Sequence, residues 1–137
     1  MRTHTRAMLI LAVATSLAGM LTACAQPIYI ASDEGYPAGH EPSDPLDESF
    51  KALWDKDGNL LVVTLGSSSC PNEPKSIELE SPTSIVVQIE RAGGPLCTAD
   101  IAVKTYTIPV PKGLAPGEEI TVDLGTGTPQ TLPPVRG

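Results

Sequence analysis

The sequence predicts a small all-β domain: an antiparallel β-sandwich or an open barrel, held by one disulfide. Three observations carry that expectation. Between Leu60 and Ile108 the β-branched residues gather into short runs with alternating polarity. Pro- and Gly-rich turns separate these runs at regular intervals, and no long helical stripe interrupts them. Two cysteines, Cys70 and Cys97, bracket the middle of the region and would close a loop of about 28 residues.

The first residues stand apart from any fold. Arg2, His4 and Arg6 make a basic start, an apolar run follows from Ala7 to Leu21, and Leu21-Thr22-Ala23-Cys24 ends it. This order resembles the lipobox of bacterial lipoproteins. The resemblance implies cleavage before Cys24, a diacylglycerol on its thiol, and residence at the cell membrane on the extracytoplasmic face. On that reading 1–23 is a lipoprotein signal peptide, and two acyl chains give stable attachment to the lipid bilayer. The apolar run is short for a membrane span and is broken by Thr15, Ser16 and Gly19.

Residues 24–45 read as a disordered tether, rich in Pro, Gly and acids and poor in core-forming residues. Ile28-Tyr29-Ile30 is its one apolar cluster and could add an edge strand; His40 reads as a solvated loop residue. The β-domain is expected over 46–125. Asp44-Pro45 looks like a helix cap, and Leu46, Phe50, Leu53 and Trp54 recur at helical spacing. Ser49–Trp54, Asp55-Lys56-Asp57-Gly58 and Asn59–Thr64 also read as strand, tight turn, strand. The hairpin is preferred, because one short helix is marginal without packing. Phe50 and Trp54, the only Phe and Trp in the chain, should both help fill the core.

Asn59–Leu65 is apolar on both faces, which suggests a central strand. Ile77 and Leu79 alternate with acids over Lys75–Glu80. Across a turn, Ile85, Val87 and Ile89 should point inward and Gln88 and Glu90 outward, so the two segments read as an antiparallel pair. Over Ile101–Val110 both parities carry apolar residues; Ile101 and Val103 are expected inward, with Tyr106 on a half-covered side. Pro109 and Pro111 end this strand. Ile120, Val122 and Leu124 make a last strand, and 126–137 reads as a flexible tail. Five or six strands in this pattern suggest an immunoglobulin-like architecture. The only Trp precedes both cysteines, so the likeness is to the architecture and not to the immunoglobulin family.

The composition limits the partners. From Cys24 onward the chain has about 114 residues, enough for one small domain. Without Arg2 and Arg6, seven Lys and Arg face sixteen Asp and Glu. Such acidity argues against nucleic acid and against adhesion to anionic lipid by charge; it suits a protein standing off a membrane. With Cys24 acylated, two cysteines remain, an even number in an oxidising compartment, so Cys70–Cys97 is expected as a disulfide.

The run Thr64-Leu65-Gly66-Ser67-Ser68-Ser69-Cys70-Pro71, followed by Cys97-Thr98-Ala99-Asp100, resembles a group of small uncharacterised lipoproteins and exported proteins from actinobacteria. The resemblance covers about residues 50–124 and supports the disulfide and the compartment; it implies no activity. Gly66, Ser67, Ser68, Ser69, Pro71, Thr98 and Asp100 are the candidate binding edge, since a disulfide would hold them rigid. No catalytic set is expected: there is no Gly-x-Ser-x-Gly elbow, and the one His beyond Cys24 is His40. Asp55, Asp57 and Asn59 echo part of a calcium loop, but the glycine falls at the wrong offset. No metal site and no cofactor are expected. The function expected is binding or structural association at the cell envelope, with an envelope protein as partner. Alternatives are a chaperone or inhibitor offering an edge strand, and a hydrolytic enzyme.

Overall fold

The computed structural model describes residues 25–136, so the expected signal segment and lipidated Cys24 lie outside the described residues. The described chain forms eight strands: β1 Ala31–Glu34, β2 Lys51–Trp54, β3 Leu60–Gly66, β4 Asn72–Ser81, β5 Ser84–Arg91, β6 Ala102–Ile108, β7 Ile120–Asp123 and β8 Gln130–Leu132. They make two four-stranded sheets, ordered β1-β6-β3-β2 and β4-β5-β7-β8. The fold is therefore all-β and sandwich-like, not a closed barrel. Every pairing is antiparallel except β5 with β7, which is parallel.

The hairpin reading of the 49–64 stretch holds. Trp54 faces Leu60 and Ala52 faces Val62 across an antiparallel pair. The turn closes on Gly58, whose φ of +82° suits glycine. Asp55 stabilises it by accepting the amides of Asp57 and Asn59, each at 2.8 Å. The β4–β5 hairpin also forms, with Ile77 opposite Val87 and Leu79 opposite Ile85. Strand β3 is central, between β6 and β2.

The core lies between the sheets. Leu60, Val62, Tyr106 and Ile108 from the first sheet meet Ile85, Val87, Ile120, Val122 and Leu132 from the second. Phe50 and Trp54 pack against this cluster from partly buried positions. Strand β6 reverses the expected facing. Tyr106 lies opposite Val62 and Ile108 opposite Leu60, so this parity looks inward. Val103 takes the outer parity, and Ile101 precedes the strand, 64% exposed. With apolar residues on both parities of 101–110, only pairing with β3 decides the facing.

Both ends of the chain belong to the domain further than the composition suggests. The 24–45 stretch is not a long tether: β1 pairs with β6, the Ile30 amide donates to the Thr107 carbonyl at 2.8 Å, and Ile28 and Tyr29 pack on the core. Tyr29 lies against Tyr106 with ring centroids 4.9 Å apart. Strands β1 and β2 occupy opposite edges of one sheet, so the chain between them must travel. Tyr36 and Pro37 line a hollow with Leu61, Thr105 and Thr107 on the outer face, and His40 lines another with Leu53 and Trp54. This crossing covers Thr105, which is buried although it lies on the outer parity. Thr105 donates its hydroxyl to the Gly35 carbonyl at 2.7 Å.

At the other end, the expected 126–137 tail contains β8, which pairs with β7 and buries Leu132. The Gln130 side chain bridges to the first sheet. It accepts the Ala52 amide at 3.0 Å and donates to the Phe50 carbonyl at 3.0 Å. One amide group thus pairs with the backbone of β2 and of the residue just before it, and links the two sheets on that side.

Candidate binding edge at the disulfide

The candidate edge sits where β3 ends and β6 begins. Gly66 is the last residue of β3 and pairs with Ala102. The chain then turns tightly, with the Cys70 amide donating to the Ser67 carbonyl at 3.1 Å. Asn72 locks the turn by donating its side-chain amide to the Leu65 carbonyl at 2.7 Å, and Thr64 donates its hydroxyl to the Asn72 carbonyl at 2.8 Å. The returning loop after β5 is fastened at two points. The Ala92 amide donates to the Pro71 carbonyl at 2.8 Å, and Cys70 is bonded to Cys97 with Cα atoms 5.5 Å apart. Cys70 is buried beneath this junction.

The bond brings two distant stretches into register. Thr98 is the hub: its Oγ1 lies 2.7 Å from Ser67 Oγ and 3.2 Å from both Ser68 Oγ and Ser69 Oγ. The same hydroxyl donates to Asp100. The Thr98 amide donates to Ser69 Oγ at 2.9 Å, and the Ser68 amide donates to Asp100 Oδ1 at 3.3 Å. The hydrogen bond from Thr98, with a smaller contribution from Ser68, holds the Asp100 carboxyl down at about 2. Ser67, Ser68, Ser69, Thr98 and Asp100 are thus assembled as one exposed cluster. Gly66 and Pro71 serve as its backbone supports and stand outside the hydroxyl network.

The sequence reading missed two members of this surface. Leu96 is 89% exposed and Ile101 64% exposed, and they flank Cys97–Asp100 on the stapled loop. The signal was present as two large apolar residues in a loop otherwise made of Gly, Pro, Ala and small polar residues. Expecting Ile101 inward in a strand concealed it. The assembled tip therefore offers hydroxyls, one fixed carboxylate and two apolar projections on a covalently restrained loop.

Chemically, such a surface can donate and accept hydrogen bonds and seat against an apolar partner. Asp100 is a weak base with its carboxyl at about 2. His40 lies beside Trp54, in a separate hollow. Among the described residues, no three His, Cys, Asp or Glu side chains gather as a metal site requires. Asp55, part of the calcium-like run, also accepts the Asn59 side-chain amide at 2.8 Å and is committed to its own turn. No helix among the described residues is long and apolar enough to cross a membrane. No family model, no curated protein and no solved structure matches the chain.

Proposed function

We propose that the protein is a lipoprotein of the cell envelope, acylated at Cys24 and held on the extracytoplasmic face of the cell membrane, that binds an envelope protein through the stapled tip. The observation carrying this reading is the exposure of Leu96 and Ile101 on a loop whose backbone the Cys70–Cys97 bond restrains. Large apolar side chains held out on a rigid loop lose little entropy on docking, which favours a binding role. The hydroxyl cluster and Asp100 beside them add directional contacts. The chain from Cys24 meets the sandwich beside Thr107, while the tip adjoins Ala102, at the other end of β6. An anchor at Cys24 therefore leaves the tip facing away from the bilayer.

A strand-donating chaperone or inhibitor has less support. The longest edge strand, β4, is irregular at Pro74–Ser76 and at Leu79–Ser81 and carries Glu73, Lys75, Glu78 and Glu80. Such features blunt an edge against pairing.

The test uses a photo-crosslinking residue in the exported, full-length protein. Placed at Leu96 it should give a discrete adduct, and the adduct should vanish in the Cys70→Ser/Cys97→Ser variant. Placed at exposed Glu78 on β4 it should give none. Equal labelling from both positions, or none from Leu96, would overturn the reading. Metabolic labelling with an alkynyl fatty acid tests acylation of Cys24 separately.

A further inference from the structure

The end of the sandwich opposite the stapled tip carries a second surface. A groove of about 470 Å³ runs between the β2–β3 hairpin and the segment after β8. Trp54, Leu53, Leu132, Pro133 and Pro134 supply its apolar part, and His40, Lys56 and Arg136 also line it. The Trp54 indole N–H donates to the Pro133 carbonyl at 2.7 Å, which fixes the ring against the segment after β8 that forms the opposite wall.

The charges of this groove differ from those of the acidic protein around it. Asp55 also lines it, but its carboxylate is turned into the hairpin, where it accepts from Asp57 and Asn59. Lys56 pairs with Asp57 at 2.9 Å, with both side chains largely exposed. A pair so exposed contributes little and exchanges readily for another anion. No ion pair among the described residues includes Arg136. An apolar floor with cations at its rim suits an amphiphilic anion better than a free ion.

The register shows where this groove lies. The Ile30 amide bonds to the Thr107 carbonyl, the neighbouring Ile108 faces Leu60, and Leu60 faces Trp54. These residues form one line across the first sheet. With strands about 4.8 Å apart, Trp54 lies about 15 Å from the strand that leads back toward Cys24. Ile28 and Tyr29 already pack on the core. Only Cys24 to Pro27 then separates an acylated cysteine from the folded domain, a reach of at most about 14 Å. The groove is thus at the end of the molecule that such an anchor holds nearest the bilayer.

We infer that the groove seats a phospholipid headgroup, with Lys56 and Arg136 taking the phosphodiester and Trp54 lying at the interface, so that the hairpin end of the sandwich rests on the membrane. Tryptophan favours that depth, and cations beside it favour phosphate oxygens. The inference rests on the proposed anchor for its orientation; the groove chemistry stands independently of it.

Trp54 is the only tryptophan of the chain, so it reports on its own site. The experiment reconstitutes the full-length acylated protein into phosphatidylcholine vesicles, with and without phosphatidylglycerol, carrying quenchers at the headgroup or deep in the acyl region. Headgroup quenching of Trp54 should exceed deep quenching by about twofold or more, as an interfacial indole requires. Lys56→Glu/Arg136→Glu should abolish the difference, with far-ultraviolet dichroism unchanged because both side chains are exposed. Soluble glycerol phosphate should leave the quenching intact; loss of quenching in its presence would mean that the groove takes a free phosphate, and would overturn the lipid assignment. Absence of headgroup quenching would also overturn it. Mass spectrometry of the same material reads Cys24. If Cys24 carries no acyl chain, the anchor reading fails, while quenching after adding that protein to preformed vesicles still decides the groove.

Discussion

A methyl group at position 93 would sit 2.7 Å from the Ser69 carbonyl oxygen and 3.0 Å from Cys70 Sγ. Gly93 also has φ of +95°, so both space and backbone exclude a side chain there. Gly93→Ala is expected to cost about 1–3 kcal/mol in urea unfolding, because the loop must shift away from the disulfide. The carboxyl of Asp100 makes a second prediction at this scale. Its pKa is lower folded than unfolded, so its contribution to stability is present above the ordinary value near 3.8 and fades as pH falls through about 2. Carboxyl carbon shifts should show its midpoint at about 2 in the native protein and nearer the ordinary value in Thr98→Val. Tyr106 behaves in the opposite sense. Burial pushes its phenol above the usual range, so any stability it contributes is intact below the unfolded value and is lost as pH rises through the folded one. Its buried hydroxyl has no hydrogen-bond partner among the described residues. Tyr106→Phe should therefore be neutral or stabilising by up to about 1 kcal/mol, read from the thermal midpoint.

Strands differ in how clearly they announce themselves. Those of β3, β4, β5 and β7 were legible because alternation or a continuous apolar run states both their existence and, for most, their facing. The sharp turn at Gly58 and the disulfide were legible for similar reasons: each follows from local chemistry and from a simple count of cysteines. Strand β1 was not. Its four residues, Ala-Ser-Asp-Glu, are all exposed, and it is held by backbone pairing to β6 rather than by burial. Strand β8 has one buried apolar residue in three, with its partner β7 earlier in the chain. Local pattern cannot reveal a strand whose reason lies in another strand's free edge. Gln130 belongs to the same class, since its role is fixed by Phe50 and Ala52. Gln130→Ala should cost about 1–3 kcal/mol in chemical denaturation, because it leaves the Phe50 carbonyl and the Ala52 amide unpaired. The disulfide should matter more. Replacing both cysteines by Ser releases a loop closed at a sequence separation of 27, which is expected to cost about 3–4 kcal/mol and to free the hydroxyl cluster. Amide exchange at Thr98 would report the second effect directly.

At the scale of the whole molecule, the candidate edge was partly legible: its polar members were named from sequence, whereas the apolar projections became visible only when Ile101 proved to be outside β6. The groove beneath Trp54 was illegible for a different reason, since it joins residues 40, 54 and 136, which no spacing rule connects. The two surfaces divide the sandwich into a hairpin end and a stapled end, separated by the length of β6, about 23 Å for seven residues. That brevity of connection has a mechanical result for a chain acylated at Cys24. A long leash would let the domain sample a hemisphere above the bilayer; on the proposed acylation, a leash running only from Cys24 to Pro27 would make it a low post. Its working height would then be little more than its own body, and a partner would have to come down to that level to be met.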